Sequence, residues 1–155
     1  GCYGANLITW LLKGQKPLAV SAILQTNKPE IYPRVDDEAT ILLKYPKAQG
    51  IIQGSWNWPF NRKDMQVYGQ SGYVFADTGT RMRARLEGDN EARAVSLEKR
   101  PKPFDDPFSW LAAVIGGRAK LEQFGLSTLE NNMIVMEILD AAKRSAATGT
   151  TVKID

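Results

Sequence analysis

Between residues 38 and 97 the chain is a succession of short strand-like segments. The links between them are too brief for anything but antiparallel neighbours. Segments 38–45 and 48–58 are separated by Pro46-Lys47, a two-residue gap suited to a hairpin. Segments 64–69 and 73–77 flank Gln70-Ser71-Gly72, Asp77-Thr78-Gly79 leads into 80–87, and Gly88-Asp89-Asn90 turns the chain into 92–97. A parallel crossover needs a dozen or more residues, so these links predict a meandering antiparallel sheet.

Helical patterns flank that sheet. Leu7, Ile8, Trp10, Leu11 and Leu12 cluster on one broad face of a predicted helix over 2–12, which Gly14 stops. From Pro17 the texture changes to period two: Leu18, Val20, Ala22 and Leu24 alternate with Ala19, Ser21, Ile23 and Gln25 in a predicted strand. Residues 26–33 are polar, hold two prolines and read as a loop. Asp106-Pro107 supplies an N-cap and a first-position proline for a helix over 108–115, ended by Gly116-Gly117. Ser127-Thr128-Leu129-Glu130 reads as a capping box for a helix over 128–146. Met133, Met136, Leu139 and Ala142 repeat behind it, and Lys143 and Arg144 sit in its last turn. The predicted fold class is α+β: one open, mainly antiparallel sheet with helices from both ends of the chain on one face. With 155 residues, a single domain over 1–155 is expected.

Composition removes several chemistries. There is no histidine and one cysteine, Cys2. Histidine-based triads, Cys–His pairs, intrachain disulfides and cysteine–histidine zinc sites are therefore excluded within one chain. Proton transfer is left to Tyr, Lys, Asp or Glu. Twenty basic residues against 17 acidic ones leave a net charge of +3, too mild to argue for nucleic acid without a basic stripe. No apolar run approaches the ~18 residues of a membrane span, so a membrane partner is not expected.

Candidate residues are few. Tyr3 and Asn6 lie three apart at the start of the first helix and share a face. They read either as a partly buried aromatic with a capping residue, or as a proton-handling phenol beside an amide that holds substrate. A phenol with a pKa near 10 serves as an acid or base only beside a cation that lowers it. Trp56 and Trp58, spaced by two, are expected to face the same way as Ile52, under the helices or against a partner subunit. Arg81, Arg83 and Arg85 share one strand face, read as solvated or interfacial with cross-strand ion pairs. Asp36-Asp37-Glu38 alternates faces and reads as the polar beginning of a strand rather than a metal site. Cys2 reads as a small buried residue.

The string Gly1-Cys2-Tyr3-Gly4-Ala5-Asn6 resembles the end of the Asp-x-Gly-x-His-x-x-Asp motif of the glucose–fructose oxidoreductase, inositol dehydrogenase and MocA family. Tyr3 stands in the place of the motif histidine and Asn6 in that of its last acid. Glucose–fructose oxidoreductase is similar at both places. The resemblance continues through Val35-Asp36-Asp37-Glu38-Ala39-Thr40, through 48–59 and into 131–155. It implies a carboxy-terminal domain like that of glyceraldehyde-3-phosphate dehydrogenase, whose open sheet walls a substrate cleft and packs against a second subunit in a homo-oligomer. It also implies an NAD(P)-dependent oxidoreductase of a sugar or polyol, with Tyr3 catalytic and Asn6 substrate-binding; the residues alone equally allow a non-catalytic binding or dimerisation module that uses the open sheet face. The family's Rossmann half, with its Gly-rich turn and Glu-Lys-Pro motif, has no counterpart in these residues. Glu98-Lys99-Arg100-Pro101 is interrupted by Arg and follows the sheet, and Gly116-Gly117 follows a helix rather than a strand. NAD or NADP is therefore expected on a missing upstream domain and not on this chain. The chain accordingly reads as a piece of something longer, with its compartment open between cytoplasm and periplasm.

Overall fold

The computed structural model describes residues 1–154. The chain forms two compact units, one from residues 1–58 with 121 onward and one from residues 59–120. The α+β class and the antiparallel pairing hold throughout. The strands do not form one continuous meander, however: they are shared between two four-stranded sheets. Pro59 and the residues around it follow β3 (Gln49–Ser55) and precede β4 (Met65–Gly69), and these two strands do not pair. Proline lacks the N–H that a ladder requires.

The first unit contains α1 (Cys2–Leu11), β1 (Ala19–Gln25), β2 (Glu38–Lys44), β3, α3 (Leu129–Thr148) and β8 (Val152–Lys153). Its sheet has the order β3-β2-β1-β8. Val20 pairs with Leu43 and Ile41 with Ile52, so one pleat face is apolar across three strands. The core forms where α1 and α3 cover that face: Ala5, Val20, Ile41, Leu43, Ile52, Ile134, Val135, Ile138 and Ala141 are buried together. Truncating Leu43 or Ile138 to alanine removes a fully enclosed side chain, at a cost of about 2–5 kcal/mol. Helix α1 lies close against β3 because the contact points are glycines. A Cβ on Gly4 would stand 2.6 Å from Ile52 Cγ2, and one on Gly50 would stand 2.8 Å from Ile8 Cδ1. On the opposite pleat face, Ile23, Leu42 and Ile51 are exposed.

Helix α3 forms where the capping pattern predicts, with a different register. Thr128, not Ser127, is the N-cap, and its Oγ1 accepts from the Asn131 N–H. The buried stripe is Asn131, Ile134, Val135, Ile138, Ala141, Ala142 and Ser145. Of the repeat Met133, Met136, Leu139 and Ala142, only Ala142 is buried, and both methionines are exposed. The helix runs on to Thr148 and ends at left-handed Gly149, so Lys143 and Arg144 precede its last turn. Arg144 instead pairs with Asp140 at 2.9 Å.

The second unit holds β4, β5 (Gly72–Ala76), β6 (Arg81–Leu86), β7 (Arg93–Ser96) and α2 (Pro107–Ile115). Its sheet order is β4-β5-β6-β7. Asp106 caps α2, accepting from the Phe108 and Ser109 N–H groups at 2.9 Å each. The cross-strand register sets Phe75 beside Arg83 and Tyr73 beside both Tyr68 and Arg85. These aromatics lie on the neighbouring strands, where a reading along β6 does not find them. Their faces turn to one another: Tyr73 stacks on Phe75 with centroids 4.6 Å apart, and Tyr68 meets Phe75 edge-on at 5.4 Å. Arg83 covers Phe75 at 5.2 Å and makes a two-point bond to Asp77 at 2.8 and 2.9 Å.

Candidate functional site

Helix α1 begins at Cys2 with Gly1 as its N-cap, and no side chain caps it. Tyr3, in this first turn, is 80% exposed. Cys2, expected to be buried, is an exposed free thiol. Gly1 and Cys2 line a cavity of about 370 Å³ whose walls include Leu24, Ile41, Met136 and Lys143. Tyr3 and Asn6 are not among its lining residues.

Asn6, one turn on, is half-buried and faces the start of α3. Its Nδ2 donates to the Leu126 carbonyl at 3.0 Å and to Asn132 Oδ1 at 3.2 Å. Asn132 in turn donates from Nδ2 to the carbonyls of Leu126 at 3.1 Å and Thr128 at 2.8 Å. Fully buried Asn131 donates to the Asn6 carbonyl at 3.4 Å. Three asparagines thus tie α1 to the first turn of α3. The sequence reading selected Asn6 and missed Asn131 and Asn132. Their signal was an Asn-Asn pair inside an otherwise apolar helical stripe, where an amide is rarely buried without a partner.

The remaining candidates separate. Trp56 lies past the end of β3, not within a strand. Its N–H donates to the Asp37 carbonyl at 2.8 Å, and its ring packs on Tyr32 at 4.9 Å. The Ser55 hydroxyl accepts from the Asn57 N–H at 2.9 Å, a local turn that ends the strand before either Trp. Asp37 is buried at the end of the β1–β2 loop. Its two oxygens accept from the N–H groups of Asn27 and Lys28 at 2.8 Å each and from Asn57 Nδ2 at 3.1 Å. Burial opposes the Asp37 charge, but these bonds and the Lys28 charge outweigh it and hold the carboxyl below its ordinary value. Among the described residues no group of three or more Cys, Asp or Glu side chains is arranged to hold a metal. Nor do they include a parallel strand–helix–strand unit, the element that cradles a dinucleotide; their turns do not fit that group.

Solved structures share this fold. The chain superposes on aldose-aldose oxidoreductase from Caulobacter crescentus, crystallised with glycerol, with a TM-score of 0.77 and 24% identity, covering 99% of this chain and 46% of that one. A putative oxidoreductase from Thermotoga maritima gives 0.78 and 21%, covering 99% and 45%. An oxidoreductase from Agrobacterium radiobacter, in complex with NAD+, L-tartaric acid and magnesium, gives 0.65 and 18%, covering 96% and 46%. The chain spans about half the length of each. No curated protein matches its sequence.

The fold is therefore that of the carboxy-terminal domain of oxidoreductases. The profile of the GFO/IDH/MocA C-terminal domain matches residues 1–75. That segment, just under half of the chain, is similar to the family that the Tyr3–Asn6 motif resembles. Among the described residues no helix is long and apolar enough to cross a membrane.

Proposed function

We propose that this chain is the substrate-side half of an NAD(P)-dependent oxidoreductase that interconverts a hydroxyl and a carbonyl on a sugar or polyol. The observation that carries the reading is Tyr3. It is a phenol held open to solvent in the first turn of α1, within the segment that matches the family profile. In the proposed reaction Tyr3 exchanges the proton of the reacting hydroxyl, and Asn6 orients the substrate. The cofactor belongs to another part of the parent chain, because the residues here supply no cradle for it. The exposed Ile23, Leu42 and Ile51 face is the surface through which we propose that copies of the parent pair. The Caulobacter and Agrobacterium neighbours, described with glycerol and with NAD+ and tartaric acid, make polyhydroxylated compounds the first substrates to try.

The test is Tyr3→Phe in the full-length protein, assayed on a panel of aldoses and alditols with NAD+ and NADP+. The expected result is a fall in kcat of about 100-fold or more, with KM and oligomeric mass nearly unchanged. Turnover equal to wild type would overturn the role of Tyr3. Absence of turnover in the wild-type protein across the panel would overturn the sugar or polyol reading.

A further inference from the structure

We infer that Asn132 is a positioning residue that fixes the orientation of the Asn6 amide, so that Asn6 offers the substrate only an acceptor and reads a hydroxyl as a hydrogen-bond donor. The inference rests on the reading of Asn6 as substrate-binding. A backbone carbonyl can only accept, so the atom of Asn6 that faces Leu126 must be its nitrogen. The same logic sets Asn132, whose Nδ2 serves two backbone carbonyls, Leu126 and Thr128, and whose Oδ1 is thereby turned toward Asn6. Both protons of Asn6 Nδ2 are spent on α3 and the segment before it. Among the described residues nothing donates to Asn6 Oδ1, and that atom is not among the buried groups left without a partner. The end of Asn6 available to a ligand is therefore an oxygen. An amide free to rotate would accept a hydroxyl or donate to a carbonyl with equal ease. One locked by Asn132 discriminates between them, because an acceptor set against another acceptor leaves both unpaired.

The experiment uses the full-length protein with selectively 15N-labelled asparagine, together with steady-state kinetics on the best substrate of a panel led by D-glucose and sorbitol. Asn132→Ala should speed exchange of the Asn6 side-chain amide protons and raise KM by about tenfold, with kcat within about twofold. Asn132→Gln retains both the acceptor oxygen and the donor nitrogen, so it should restore both readings to within about threefold of wild type, whereas Asn132→Asp, which sets a carboxylate against the Leu126 and Thr128 carbonyls, should not. Derivatives in which one hydroxyl is replaced by fluorine remove a donor while keeping the shape. Wild type should lose about tenfold in kcat/KM on one of them, and Asn6→Leu should erase that discrimination. Unchanged amide exchange in Asn132→Ala, or damage from Asn132→Gln equal to that from Asn132→Ala, overturns the positioning role while leaving the oxidoreductase reading intact. Fluorine discrimination that survives in Asn6→Leu overturns the acceptor role. Normal amide behaviour without turnover of any sugar overturns the oxidoreductase reading, and the acceptor role falls with it.

Discussion

Replacing Asp37 by Asn would disturb three segments at once, because its carboxylate gathers the N–H groups of Asn27 and Lys28 and the amide of Asn57. The folded carboxyl lies below its ordinary value of about 3.9. Its stabilisation is therefore complete above that pH and is lost as the pH falls through the folded value. The thermal midpoint of the wild-type chain should drop on acidification below about pH 4. Asp37→Asn should melt lower near neutrality and respond less to acid; parallel melting curves would count against this account. The sequence offered Asp37 only as the middle of three acids. That it is the buried one depends on Asn27 and Asn57 converging from separate segments, which spacing does not reveal. Asn6 was legible through its motif, but its commitment to Leu126 and Asn132 was not, since those partners lie more than a hundred positions away.

Helix α1 makes its closest approach to the sheet at Gly4. Gly4→Ala should gain helix propensity, about 1 kcal/mol, and lose more than that to the clash with Ile52 Cγ2. A net destabilisation of about 1–2 kcal/mol is expected. Adding Ile52→Val to that background should recover part of it, and denaturant titration of the single and double variants reads the coupling. Elements of this kind were readable where local chemistry decides them: Asp106-Pro107 opens α2, and Pro46-Lys47 joins β2 to β3. They were misread where tertiary packing decides. In α3 the apolar repeat of the sequence runs through the methionines, yet the fold buries Asn131, Ile134 and Ile138 and leaves Met133 and Met136 outside. Hydropathy favoured methionine, while the α1 contact required Asn131.

Taken whole, the chain divides its charge unevenly. The first unit carries nine basic and nine acidic residues, and the entire excess of +3 falls within residues 59–120. The open face of the first sheet is apolar at its centre, where Leu42 pairs with Ile51, and carries Glu38 at one end and Lys44 and Lys153 at the other, so its charges too are nearly balanced where it would meet its own copy. In the full-length protein, Ile51→Lys should shift the mass measured by light scattering toward the monomer while leaving the thermal midpoint within a few degrees, because Ile51 is already 63% exposed. An unchanged mass would remove this face from assembly. The class of the fold was legible at this scale from turn spacing alone. Its division into two sheets was not, because nothing in the pattern of β3 or β4 announces that the two will not pair.

The first unit is also discontinuous, its two halves separated by residues 59–120, and this sets a timetable. On the ribosome Val20, Ile41, Leu43 and Ile52 emerge after α1 but well before α3, the second helix that covers them. At roughly 5–20 residues per second they wait several seconds for Ile134 and Ile138. Throughout that interval a half-built sheet stands with only α1 available to cover its apolar face, and the order in which the chain is made bears on how much of it escapes aggregation.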